Sequence, residues 1–142
     1  MSELRRILGE SKVEADGLTL EWNPGRLDVA FDTGRHHVVR YRLREGHFLF
    51  RATVASARQL RVLAEESGQR YSRLRKRICR EIVLQNQHTE SVCFRLDKND
   101  RLEGVIAQRE ATLHRVELVY YASQLAREAD RFEALLNERD RW

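Results

Sequence analysis

The chain has 142 residues, 42% of them hydrophobic and 34% charged, with a net charge of +4. A chain of this size buries roughly two-thirds of its unfolded surface, enough for one core of its own, and we read 1–142 as a single domain. No apolar run nears the roughly 18 residues of a membrane helix and residues 1–10 lack a signal-peptide core. Two cysteines, Cys79 and Cys93, make neither a disulfide framework nor a metal knuckle. A cytoplasmic protein with no membrane contact is expected.

Residues 2–14 carry Leu4, Ile7 and Leu8 at helical spacing and predict a short helix. Gly17 opens a strand over 18–22, in which Leu18, Leu20 and Trp22 alternate with Thr19 and Glu21. Asn23-Pro24-Gly25 is a turn sequence, proline presetting one dihedral and glycine tolerating the next. The following strand, 26–32, sets Leu27, Val29 and Phe31 on one face, and Thr33-Gly34 turns the chain again. In 36–43 the inward set is Val39, Tyr41 and Leu43, with Arg40, Arg42 and Arg44 outward. After Arg44-Glu45-Gly46 comes a strand over 47–54, with Phe48, Phe50 and Val54 inward and Arg51 outward. These four strands read as an antiparallel meander whose one wet face is arginine-rich.

Residues 56–68 have a helix-compatible composition without a clear period. Tyr71, Leu74, Ile78 and Ile82 then recur on one face of a helix that ends over 85–90. Arg73, Lys76, Arg77 and Arg80 lie on its opposite face, with Arg70 and Arg75 nearby. A hairpin follows: Val92, Phe94 and Leu96 alternate, Asp97-Lys98-Asn99-Asp100 turns, and 102–107 returns. Thr112 is the expected N-cap of a last helix over 113–138. Its stripe is Leu118, Tyr121, Ala122, Leu125, Ala129, Phe132 and Leu136. The first half of this helix adds Val116, Val119 and Tyr120 on the other side, so it is apolar all round and expected to be buried on both sides. One side would meet the sheet of this domain; the other makes these three residues the candidate dimer or partner interface.

The stretch from Ser91-Val92-Cys93-Phe94-Arg95-Leu96-Asp97 through Asp100-Arg101-Leu102, with the later run Leu125-Ala126-Arg127-Glu128-Ala129-Asp130-Arg131-Phe132, resembles the YbjN-like proteins of the type III secretion chaperone-like superfamily. In these a strand ending in an aspartate turn precedes a final helix with an Ala-Asp-Arg-type segment. The resemblance is best over 74–138 and weaker, in compatible order, over 1–55. It implies an α+β fold: a twisted antiparallel β-sheet, meander plus hairpin, packed by N-terminal, middle and long C-terminal helices. It also implies a homodimer that binds other proteins without catalysis, and it supplies no catalytic residues. This chain departs from acidic secretion chaperones in being basic.

That basicity is concentrated. Residues 1–34 carry 4 basic and 7 acidic side chains (−3), residues 35–80 carry 13 and 3 (+10), and residues 81–142 carry 9 and 12 (−3). Only Lys12, Lys76 and Lys98 are lysines, so the block is almost wholly arginine, which suits planar, bidentate contact with carboxylate or phosphate.

Catalytic and metal patterns are weak. The five histidines are scattered, and His36 and His37 point to opposite faces of one strand. Asp28 and Asp32 share the outer face of a strand and read as solvated carboxylates; Asp97, Asn99 and Glu103 lack the spacing of a calcium loop. Cys79 sits among basic residues but reads as packed. We expect no enzyme, metal, cofactor or small-molecule substrate. The leading expectation is a homodimeric protein-binding module, chaperone-like or adaptor, that docks an acidic partner within a nucleic-acid-processing or stress-response assembly. The alternative is direct electrostatic binding of DNA or RNA. The basic binding surface in either case comprises Arg40, Arg42, Arg51, Arg70, Arg73, Lys76, Arg77 and Arg80. Against nucleic acid stands the lack of an outward aromatic platform, since Trp22, Phe31, Tyr41, Phe48 and Phe50 fall on inward faces.

Overall fold

In the computed structural model, which describes residues 3–138 and 141–142, the chain runs α1 (Glu3–Leu8), β1 (Lys12–Ala15), β2 (Leu18–Asn23), β3 (Arg26–Phe31), β4 (His36–Arg44) and β5 (His47–Ala55). It continues through α2 (Ala57–Glu66), α3 (Tyr71–His88), β6 (Cys93–Leu96), β7 (Leu102–Arg109), a short 3-10 turn (Glu110–Thr112) and α4 (Arg115–Leu136). The seven strands form one sheet in the order β1-β2-β3-β4-β5-β7-β6, every neighbouring pair antiparallel. Five strands make the meander. α2 and α3 then carry the chain past the position of β7, so that β6 forms the far edge and β7 returns beside β5. This is the α+β architecture expected from the sequence.

Alternation along the strands builds the core. Leu20, Leu27, Val29, Val39, Phe48, Phe50, Ala52 and Ile106 are buried on the face that α4 crosses. From α4, Leu118, Ala122, Leu125, Ala129, Phe132 and Leu136 meet them, six of the seven residues of the expected stripe, with Tyr121 half-buried. Each such large side chain removed from water contributes about 1.5–3 kcal/mol. Phe132 meets Phe94 of β6 edge-on at 4.9 Å between ring centres. Beside that pair, a Cβ on Gly104 would lie 2.9 Å from Leu125 Cδ1 and 3.2 Å from Phe94 Cε1, so only glycine lets α4 come down onto β7 here.

α2 starts at a capping box, Ser56 Oγ accepting from Gln59 N while Gln59 Oε1 accepts from Ser56 N. α3 buries Leu74 and Ile78 and closes the open edge of β6. There Asn86 Oδ1 accepts from Phe94 N at 2.7 Å and Asn86 Nδ2 donates to Phe94 O at 3.1 Å, as a neighbouring strand would.

Three expectations need correction. The helix expected over 2–14 spans only Glu3–Leu8 among the described residues, Ser2 lying outside them. Gly9, at φ 77, ends it, and Lys12–Ala15 leaves helical geometry to pair with β2, which buries Val13 opposite Leu20. Leu43 is 44% exposed: it points to the helix side of the sheet, but at the end of β4 where no helix covers it. Thr112 is not the cap of α4. It sits in the 3-10 turn with its hydroxyl on Arg109 O, because burying Leu113 holds the next residue extended and delays the helix to Arg115 behind His114.

Candidate functional site

Among the described residues, no element covers the face of the sheet opposite α4. Since side chains alternate across a strand, every residue between two core positions points there. Register then sets the rows: Arg26 stands opposite Arg40, Arg40 opposite Arg51, and Arg51 opposite Val105. In the next rows Arg42 faces Leu49 and Leu49 faces Ala107, while Arg44 faces His47 and His47 faces Arg109. Towards the other end lie Val38, Thr53, Glu103 and Arg95. The outer arginines Arg40 and Arg42 are exposed; Arg51, Leu49 and Val38 are half-buried. Leu49, Ala107 and Val105 thus form a short apolar strip bordered by Arg42 and Arg51, while Val38 lies apart from it, opposite Asp28.

Several acidic side chains are paired, Asp28 and Glu103 on this same face and the others away from it. Asp28 pairs with Arg26, Asp130 with Arg35, Asp100 with Arg75, Glu10 with Arg115 and Glu81 with Arg141. Glu103, only 2% exposed, accepts from Arg95 Nε at 2.9 Å. Among the described residues, Arg40, Arg42, Arg44, Arg51 and Arg101 have no ion pair and no side-chain hydrogen bond. Like charges directly opposite on neighbouring strands repel, so the Arg40–Arg51 pair is an unfavourable feature of the isolated sheet.

The structure divides the sequence-derived basic set. Arg40, Arg42 and Arg51 share the uncovered face. Arg70, Arg73, Lys76 and Arg80 are exposed on α3 and its N-cap, which rides on β6, three strands and so about 14 Å from β4. Arg77 belongs to neither surface, since its guanidinium donates to the Trp142 carbonyl. The helix therefore presents a separate basic ridge, flanked by Val83 and Leu84, which are 58% and 49% exposed. Sequence reading passed over that apolar pair because the stripe through Tyr71, Leu74, Ile78 and Ile82 already accounted for the helix. It weighed Glu103 only with the hairpin turn and did not bring Arg101 or Glu103 to the sheet arginines, because their place near Arg51 depends on β7 pairing with β5 across a long connection.

Val116 is 77% exposed and Tyr120 45% exposed, while Val119 is half-buried against the core. With Val13 and Ala15 of β1 and Ser123 of α4 they line a groove along the β1 edge, and Ser123 Oγ is buried there without a partner among the described residues.

One cluster approaches a metal-ligand arrangement. His37 Nε2 lies 3.1 Å from Asp130 Oδ1 and 3.3 Å from Glu133 Oε2. Arg35 already holds the same Asp130 oxygen at 2.7 Å, and that cation opposes a second one, so the trio clasps β4 to the end of α4. The other carboxylates weighed from the sequence form no such cluster among the described residues. Asp28 is held by Arg26 and Asn23, Asp32 lies exposed beyond the end of β3, and Asp97 accepts from backbone N–H groups of its own turn.

The arrangement is an α+β fold, a seven-stranded antiparallel sheet with its helices on one face and arginines on the other. No family model matches the chain, and no curated protein matches it. A chain in the crystal structure of the ExsC–ExsE complex superposes on it with a TM-score of 0.52, over 94% of this chain and 88% of that one, at 17% identity. That is a likeness of fold. No helix among the described residues is long and apolar enough to cross a membrane.

Proposed function

We propose that the protein is a non-catalytic docking module, a homodimer of the YbjN-like kind, which holds an acidic protein segment on the uncovered face of its sheet. The observation that carries this reading is the composition of that face. Unpaired Arg40, Arg42, Arg44 and Arg51 stand around half-buried Leu49 with its neighbours Val105 and Ala107. An extended segment that alternates carboxylate and apolar side chains would satisfy both sets at once. The known partnership in the ExsC–ExsE complex is a protein–protein one on a similar fold, which supports the same direction. A phosphate backbone would meet the guanidinium groups but leave the apolar strip unused. Nor does this face offer an aromatic to stack a base, since Phe48 and Phe50 lie under α4 and Trp22 and Tyr41 bond to each other on the helix side.

The test is fluorescence anisotropy with a labelled peptide of alternating Glu and Leu, its Gln-for-Glu counterpart, and single- and double-stranded oligonucleotides at two salt concentrations. Saturable binding of the Glu peptide alone, abolished in Arg40→Glu/Arg42→Glu, is expected. Oligonucleotide binding that is tighter, and that weakens steeply with salt, would replace this reading by the electrostatic nucleic-acid one.

A further inference from the structure

The free arginines are not spread evenly over the sheet face. At the end where β4 begins and β5 finishes, Arg40, Arg51 and Arg101 line one cleft of about 370 Å³. The register irregularity between Thr53 and Ala55 falls at this point, and such bulges re-aim side chains at the end of a ladder. Thr53 also lines the cleft. So does Gln59, whose Oε1 is occupied by the Ser56 amide, which leaves Nε2 free to donate. His36 completes the donor set.

Two carboxylates share the cleft: Glu103 accepts from Arg95, and Glu133 Oε2 lies 3.3 Å from His37 Nε2. Against them stands an excess of donors: three unpaired guanidinium groups, one of them half-buried, and an amide. The cross-strand repulsion of Arg40 and Arg51 is relieved by an anion placed between them. The carboxylates of Glu103 and Glu133 on the walls disfavour a dianion and leave room for a single negative charge.

The geometry points to a carboxylate-binding site in this cleft, formed by Arg40, Arg51 and Arg101 with Gln59 and Thr53, that anchors one Asp or Glu side chain of the docked segment. It rests on the docking reading above and adds its specificity: the partner carries one acidic residue whose loss matters more than that of its neighbours. Planar guanidinium groups bind a carboxylate bidentately, and such charge-assisted hydrogen bonds are about twice as strong as neutral ones.

The experiment is a side-chain NMR titration of the full chain with sodium butyrate, a monocarboxylate, and, separately, inorganic phosphate. It is paired with anisotropy of the same Glu–Leu peptide on Arg51→Gln, Arg101→Gln and Arg73→Gln. Butyrate should shift the Nε–H signals of Arg40, Arg51 and Arg101 and the Gln59 amide saturably, leaving Arg73 unmoved. Arg51→Gln and the exposed Arg101→Gln should each weaken the peptide about ten-fold with unchanged melting, against less than about two-fold for Arg73→Gln. Peptide binding that all three variants leave alike overturns the anchor and spares the docking face. Failure of the peptide to bind at all, with a saturable butyrate shift, keeps the site and overturns the docking reading. Phosphate saturating the same signals more tightly than butyrate overturns the carboxylate assignment.

Discussion

Asp97 shows how much one side chain can hold. Its Oδ1 accepts from the backbone N–H of Arg101 at 2.9 Å and of Asn99 at 2.8 Å, which lets Asp100 adopt φ 57 and closes the β6–β7 hairpin. The Arg101 amide foremost, with that of Asn99 and the nearby Arg101 charge, holds the carboxyl below its ordinary value. A carboxyl lowered in the folded state stabilises above the usual carboxylate range and loses that contribution as pH falls through its folded value. Asp97→Ala should therefore cost about 1–2 kcal/mol near neutral pH and progressively less in acid. Urea denaturation at both pH values checks it; an equal deficit at both would deny the charge any part. The same turn places Arg101 beside the sheet-face cleft, so the hairpin and the candidate site share a support.

At the level of elements, the sheet has two edges, and a side chain of α3 closes that of β6. Asn86 of α3 imitates a strand against Phe94, so the edge of β6 is closed without adding a strand. Asn86→Ala leaves a buried N–H and C=O unpaired and should destabilise by about 1–3 kcal/mol. It should also raise concentration-dependent association, since it reopens an edge. Chemical denaturation and light scattering read the two effects separately. The contrast with α4 is instructive: that helix covers β3, β4, β5 and β7 on one face, and among the described residues nothing returns over the other. The bare face is a consequence of every connection between helix and sheet lying on one side.

For the whole molecule, the three charge blocks of the sequence become paired rims and unpaired surfaces. Carboxylates from the two acidic flanks reach Arg35, Arg75, Arg115, Arg131 and Arg141, leaving the surplus of the middle block on the sheet face and on α3. The remaining exposed apolar residues on α4, Val116 and Tyr120, belong to the proposed subunit contact. Val116→Asp with Tyr120→Ser should convert a dimer to a monomer in sedimentation while the far-UV spectrum of the folded chain is kept, as both side chains are exposed in the isolated chain. A wild-type chain that sediments as a monomer at micromolar concentration would remove the dimer.

Alternation and helical period determine most of this fold by themselves. Leu18 to Trp22, Leu27 and Val29, Phe48 and Phe50, and the stripe of α4 declare their inner faces because a half-buried strand or helix must separate apolar from polar residues at its own period. The outward direction of Arg40, Arg42 and Arg51 was legible for the same reason. What lies between elements was not. Val13 became a strand residue only because β2 offered its edge, and Thr112 lost its capping role to the burial of Leu113. The cleft needed more still: Arg101 and Arg51 are 50 positions apart and meet through the pairing of β5 with β7, which no local pattern announces. Periodicity reports which way a side chain points. Which distant side chain it meets is decided by the register and order of strands, and those are set by packing of the assembled chain.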